Sequence, residues 1–210
     1  MNSFAGWLCR VVSALAVTLW ITGCEKGGGG SLGDGHDFGA NNPNVLIAIG
    51  DSITQSGYPA ILSQMLGKPV ANLGIGGSTS DSGAARIKPA LAKYKPGYVL
   101  ILYGANDVDF GHSFASIIAN LQYMVQAAKA NQTIPVLATL TPMYGPHSTW
   151  AGSVKALNEQ IRALASSEGV ALADLESAFG DSPQLFQDDG LHPTAEGRQL
   201  IAQTFFDVLN

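Results

Sequence analysis

A serine, a histidine and a carboxylate placed three residues before that histidine can together transfer an acyl group, and in this chain the candidate set is Ser52, His192 and Asp189. A serine hydroxyl is a weak nucleophile until a neighbouring base takes its proton. Of the four histidines, His192 is set apart by the segment Asp189-Gly190-Leu191-His192-Pro193. A carboxylate at that spacing, in a glycine turn, can orient one ring nitrogen while the other faces the serine. Asp188 stands beside Asp189 as an alternative carboxylate. His36 falls in a glycine-rich stretch. His112 and His147 fall in loops without a carboxylate so spaced and read as surface residues, although His147 could line the site.

Ser52 belongs to Gly50-Asp51-Ser52-Ile53-Thr54, which leaves the apolar run Val45-Leu46-Ile47-Ala48-Ile49. Where a buried strand turns into a helix, a hydroxyl faces the open edge of a sheet. The helix amino end there adds donors and a dipole that favour developing negative charge. Read alone, the same residues could be only a helix cap, and Asp51 suits a structural partner. Gly180-Asp181-Ser182 repeats the tripeptide without a buried strand before it and with Pro183 after it. Gly76-Gly77-Ser78 does not form a G-x-S-x-G elbow, because Ser80 occupies the last position. It also lacks the Gly-Lys pair of a phosphate loop.

The elements that must position these groups are legible in the apolar pattern. Short runs like that at Val45 recur at residues 70–73, 98–102, 134–138 and 170–172, and suit strands buried on both faces. Pro135 stands near the start of its run, where a missing donor is tolerated. Phe114, Ile117, Ile118, Leu121, Met124, Val125 and Ala128 follow helical spacing, as do Val154, Leu157, Ile161 and Leu164. Met124 and Tyr123 read as packing residues, and a last helix is expected from about Thr194 to Leu209. Alternating strands and helices predict a parallel sheet covered on both faces, with ligands at the carboxyl ends of the strands.

Polar, glycine-marked segments fall at those ends: Gly50-Asp51-Ser52, Gly74-Ile75-Gly76-Gly77-Ser78, Gly104-Ala105-Asn106-Asp107 and Asp189-Gly190-Leu191-His192-Pro193. In order and placement they resemble the blocks of the SGNH (GDSL) hydrolase family, over about Val45 to Leu209. The likeness is greatest to the branch of periplasmic thioesterase/lysophospholipase enzymes. The resemblance implies a three-layer α/β/α fold with a five-stranded parallel sheet in flavodoxin-like order. It also implies Ser52 as nucleophile, His192 as base and Asp189 as its orienting carboxylate. The Ser52 N–H, the Gly74 N–H and the Asn106 side-chain amide are implied as the oxyanion hole. Taken by themselves, Gly74 and Asn106 could be turn residues, and Asp107 would hold its loop by local hydrogen bonds.

The expected reaction is hydrolysis of carboxylic esters or thioesters through an acyl-enzyme, with no cofactor and no metal. An alternative is a carbohydrate O-deacetylase using the same residues. Another is a non-catalytic binding lipoprotein, whose signature would be a missing triad or oxyanion residue, and none is missing. The short connections leave no segment for a large lid.

The amino terminus reads differently. Arg10 precedes an uncharged run from Val11 to Ile21, the length of a secretory core and too short for a bilayer span. Ile21-Thr22-Gly23-Cys24 resembles a bacterial lipobox, which makes Cys24 the expected lipidation site. The expected organisation is a signal peptide at 1–23, a lipidated cysteine and flexible glycine-rich tether at 24–44, and a hydrolase domain at 45–210. Glu25, where inner-membrane retention would favour aspartate, points to an envelope lipoprotein of the outer membrane facing the periplasm. Cys9 and Cys24 are the only cysteines, so the body has no disulfide framework, cysteine nucleophile or cysteine-ligated metal. Composition fits one globular domain, with 46% hydrophobic and 13% charged residues. A net charge of −5, with basic clustering only at Lys88, Lys93 and Lys95, argues against a nucleic-acid partner. Nothing in the sequence specifies an oligomeric state.

Overall fold

The structure is a computed structural model that describes residues 31–210. The expected signal peptide (1–23), the expected lipidation site Cys24 and the first part of the expected tether lie outside the described residues. Strands β1 (Asn42–Gly50), β2 (Val70–Gly74), β3 (Pro96–Leu102), β4 (Ile134–Ala138) and β5 (Ala171–Ala173) make one five-stranded sheet in the order β2-β1-β3-β4-β5. Every neighbouring pair is parallel, and this is the flavodoxin-like order expected. The apolar runs explain the order: β3, buried along its whole length, and β1, buried from Leu46 onward, lie inside, whereas β2 is half-exposed at one edge. On β4, Pro135 pairs with Val99, and β5 begins only opposite Val136, so the proline lies outside that second ladder.

Helices α1 (Ser52–Gln55), α2 (Tyr58–Leu66), α3 (Ser80–Tyr94), α4 (Ala105–Asp109), α5 (Phe114–Ala130), α6 (Ala151–Glu168), α7 (Leu175–Phe179) and α8 (Ala195–Leu209) fill the connections. Helix α2 packs with α8, while α3, α5 and α6 pack in series, which supplies a helical layer to each face. The periodic residues of α5 and α6 fall on buried faces as the spacing predicts. Tyr123 does not, being exposed beneath Lys88, whose Nζ lies 5.3 Å from its ring centroid. No helix of the described residues is long and apolar enough to cross a membrane.

The folded body begins earlier than the expected boundary at Val45. Strand β1 starts at Asn42, whose N–H donates to Lys95 O at 2.8 Å. Ahead of it, Phe38 packs on Tyr98 with ring centroids 5.6 Å apart, and Ser31 Oγ donates to Leu209 O at 3.0 Å. The polar, glycine-rich composition of residues 31–44 suits a tether. The long-range partners that hold this stretch down leave no local signal.

Candidate active site

Ser52 opens α1 immediately after β1, capped by Asp51, whose Oδ1 accepts the Ile53 N–H at 2.9 Å. Asp51 is buried, and that burial pushes its carboxyl up to about 7 against the opposing hydrogen bond from Ile53. Its place is beneath the serine as a cap. Ser52 Oγ lies 2.9 Å from His192 Nε2, and His192 Nδ1 lies 2.6 Å from Asp189 Oδ2. The other oxygen of Asp189 accepts the N–H groups of Leu191 and His192, both at 2.9 Å. Partial burial works to raise the Asp189 carboxyl. The hydrogen bonds from the His192 ring and from the two backbone N–H groups outweigh it and hold the carboxyl at about 2. The neighbouring Asp188 is exposed and its side chain has no hydrogen-bond partner among the described residues. Of the two adjacent carboxylates, it is Asp189 whose side chain lies against the His192 ring.

The turn that carries these two groups is clasped from the loop after β4. Tyr144 N–H donates to Gly190 O at 2.8 Å, and His147 Nδ1 donates to Asp189 O at 2.8 Å. Gly190 has φ +70°, and a Cβ there would come within 2.2 Å of Tyr144 O, so only glycine lets the two loops close. His147, in a 3₁₀ turn at Gly145–Trp150 and packed on Trp150, is thus more than a surface residue. Its partner is 42 positions away, and no spacing rule could have found it. An asparagine at 147 places an amide donor where Nδ1 stands, whereas glutamine carries it one bond too far. His147→Asn should therefore hold kcat within about threefold, and His147→Gln should lower it about tenfold with KM little changed, since small displacements of catalytic groups are costly. Equal kcat in the two variants would show that the clasp does not position the turn.

The donors for an oxyanion come from three loops. The N–H of Ser52, first residue of α1, has no intrahelical acceptor. Asn106 opens toward the β2–α3 loop, and its Nδ2 donates one hydrogen to Ser78 O at 3.0 Å, which leaves the second for a substrate. The Gly74 N–H, expected as the third donor, is already engaged. Gly74 closes β2 opposite Gly50, and its N–H donates to Asn72 Oδ1 at 2.9 Å. Glycine is required there because a Cβ would lie 2.2 Å from Gln55 N. Further along the same loop, Gly76 lies against the nucleophile, so that a Cβ on it would be 3.9 Å from Ser52 Cβ. The next residue, Gly77, occupies a turn closed by Ser78 N–H to Ile75 O, and its N–H has no acceptor among the described residues. The free amide of this segment therefore belongs to Gly77.

Asp107 holds the site together over a longer range than its loop. Fully buried, it accepts the Ser80 N–H at 2.9 Å and the Ser80 hydroxyl at 2.6 Å, pinning the start of α3 to α4. With Asp81 and His112 it forms a cluster of cation-ligand spacing, but its oxygens are engaged by Ser80. Gly180-Asp181-Ser182 stands apart, with Ser182 N–H donating to Tyr144 OH at 3.1 Å. Removal of the Asn106 amide by Asn106→Ala should lower kcat about 10²–10³-fold at nearly constant KM. An unchanged kcat would return Asn106 to a turn role.

The sequence profile of the GDSL-like Lipase/Acylhydrolase family matches residues 48–200. The esterase TesA of Pseudomonas aeruginosa is 32% identical over 180 residues, covering 79% of this chain and 87% of that protein. Thioesterase 1/protease 1/lysophospholipase L1 of Escherichia coli K12 is 29% identical over 182 residues, covering 79% and 83% respectively. A crystal structure of TesA superposes with a TM-score of 0.69 at 28% identity, over 79% of this chain and 98% of that one.

Proposed function

The chain belongs to the GDSL-like lipase/acylhydrolase family, and on that premise we propose that it is a serine ester hydrolase acting on carboxylic esters or thioesters. The observation that carries the reading is the continuous line from Ser52 Oγ through the His192 ring to Asp189. His192 Nε2 takes the Ser52 proton as Oγ adds to the substrate carbonyl carbon. The resulting oxyanion meets the Ser52 N–H, the Gly77 N–H and the second Asn106 amide hydrogen. The imidazolium returns the proton to the departing alcohol or thiol, leaving an acyl-Ser52 ester. Water then attacks that ester with His192 again as base, releasing the acid and restoring the hydroxyl. Asp189 holds the ring in the Nδ1–H tautomer throughout.

The rim of the site supports an apolar acyl group. Only Ile75, Phe110 and Tyr123 are large exposed hydrophobic residues among those described. Ile75 adjoins Gly76, which lies against Ser52, and Phe110 caps α4, which carries Asn106. Ile75 thus stands one residue from the glycine that lies against the nucleophile, where an apolar acyl chain could be received. The discriminating experiment offers a graded series of acyl esters, thioesters and acetylated sugars. We expect kcat/KM to rise from acetyl to octanoyl esters; a preference for acetylated sugars would favour the O-deacetylase reading.

The envelope placement is part of the same reading and is supported by the lipobox-like Ile21-Thr22-Gly23-Cys24. Lipid on Cys24 would anchor the chain at the outer membrane, facing the periplasm. Cys24→Ser should move the protein from the membrane to the soluble fraction with the activity of the domain unchanged. Wild-type protein recovered without lipid from the soluble fraction would overturn the anchor.

A further inference from the structure

The two edges of the sheet carry different things. Ser52 stands two residues past the end of β1, and His192 precedes α8, so the site stands at the carboxyl edge. The chain enters the domain at the other edge. Ser31 Oγ and the Leu32 N–H both donate to the carbonyl of Leu209, the last residue of α8, at 3.0 and 3.4 Å. Phe38 packs on Tyr98 near the start of β3, and Asn42 pairs with Pro96 at its first residue. Helix α8 has 15 residues, which is about 22 Å of rise. Strand β1 has 9 residues, which is about 30 Å. Ser31 therefore lies roughly 20–30 Å from Ser52, along the length of the strands from the amino to the carboxyl edge of the sheet.

Cys24 precedes Ser31 by a stretch that reaches at most about 25 Å when fully drawn out. Pressing the carboxyl edge against a bilayer would lift Ser31 away from it by about the height of the domain. The connecting stretch would then be taut or too short. With the amino edge toward the bilayer it is under no tension.

We propose that the anchored enzyme stands on its membrane with the amino edge down and the Ser52 site turned away. It then takes apolar acyl esters or thioesters that arrive through the aqueous phase, and not esters lodged in the bilayer that holds it. The proposal rests on ester hydrolysis at Ser52 and on attachment at Cys24.

The test uses the lipidated chain in phosphatidylcholine vesicles, beside a variant with about 20 Gly/Ser residues inserted between Gly30 and Ser31, which adds roughly 70 Å of reach. Both are given a water-soluble butyryl ester and, separately, a p-nitrophenyl palmitate held in the same vesicles. We expect equal rates on the soluble ester, and at least about tenfold faster hydrolysis of the embedded ester by the long-spacer variant, since only its reach now exceeds the height of the domain. Equal rates on the embedded ester would overturn the orientation. Inactivity of both chains on the soluble ester would overturn the hydrolase reading, and the proposal with it, by a separate route. If metabolic labelling finds no lipid on the chain, natural attachment fails as a premise. The geometry is then still decided by coupling Cys24 of the chain beginning there to a maleimide lipid, a specific reaction because the only other cysteine is Cys9.

Discussion

Replacing Ser52 by alanine is expected to lower kcat by about 10⁶-fold, the scale on which removal of a triad nucleophile acts. The fold should be almost untouched. Ser52 Oγ bonds only to His192 among the described residues, the cap of α1 is provided by Asp51, and the site is half-exposed, so no buried group loses its partner. The residual rate would come from the donors and from substrate positioning, which the substitution leaves in place. A fluorophosphonate should label Ser52 in the wild-type chain and nothing in the variant. Ser182, the other serine in a Gly-Asp-Ser triplet, gives its backbone N–H to Tyr144 OH and has no histidine among its partners. Labelling at Ser182 with Ser52→Ala still active would sink the assignment.

The second large effect belongs to Asp189. Asp189→Asn should lower kcat by about 10⁴-fold, the cost of presenting the wrong imidazole tautomer to the nucleophile. The geometry makes this outcome specific. Oδ1 of Asp189 already accepts two backbone N–H groups, and Oδ2 accepts His192 Nδ1–H. An asparagine has one acceptor oxygen, which the backbone pair would keep, so its NH₂ would be turned toward Nδ1. The ring would then carry its proton on Nε2, pointing at Ser52 Oγ, and could not act as a base. Asp188→Asn, at an exposed carboxylate without a hydrogen-bond partner among the described residues, should change kcat less than twofold. If Asp188→Asn is the more damaging at matched folding, the orienting role lies with Asp188. Because hydrogen bonds hold the Asp189 carboxyl at about 2, it should remain ionised, with its orienting function intact, from neutral pH down to about pH 3. Loss of kcat between neutral pH and about pH 4 should therefore not come from protonation of Asp189, and a kcat that falls with the Asp189 carboxyl in that range would contradict the hydrogen-bonded geometry.

The sequence by itself determined a great deal of this protein. The strand order follows from uninterrupted apolar runs at β1 and β3 and shorter ones at the edges, and burial on two faces is a local, periodic property. Ser52 was legible because strand end, glycine and helix start are adjacent in the chain. Asp189 and His192 were legible because three residues of one turn bring their side chains together. Other features were decided only by the tertiary structure. Gly74 ends β2 and Gly77 lies in the loop after it, and which one has a free N–H depends on Asn72, whose Oδ1 takes the Gly74 N–H. Asp107 reaches back 27 residues to Ser80, and His147 reaches forward 42 to the turn that carries Asp189 and His192. Residues 31–44 look like tether in composition but are held by partners at Leu209, Tyr98 and Lys95. In each case the deciding quantity is which group stands within contact or hydrogen-bond reach. Only the packed chain sets that, because elements remote in sequence meet there.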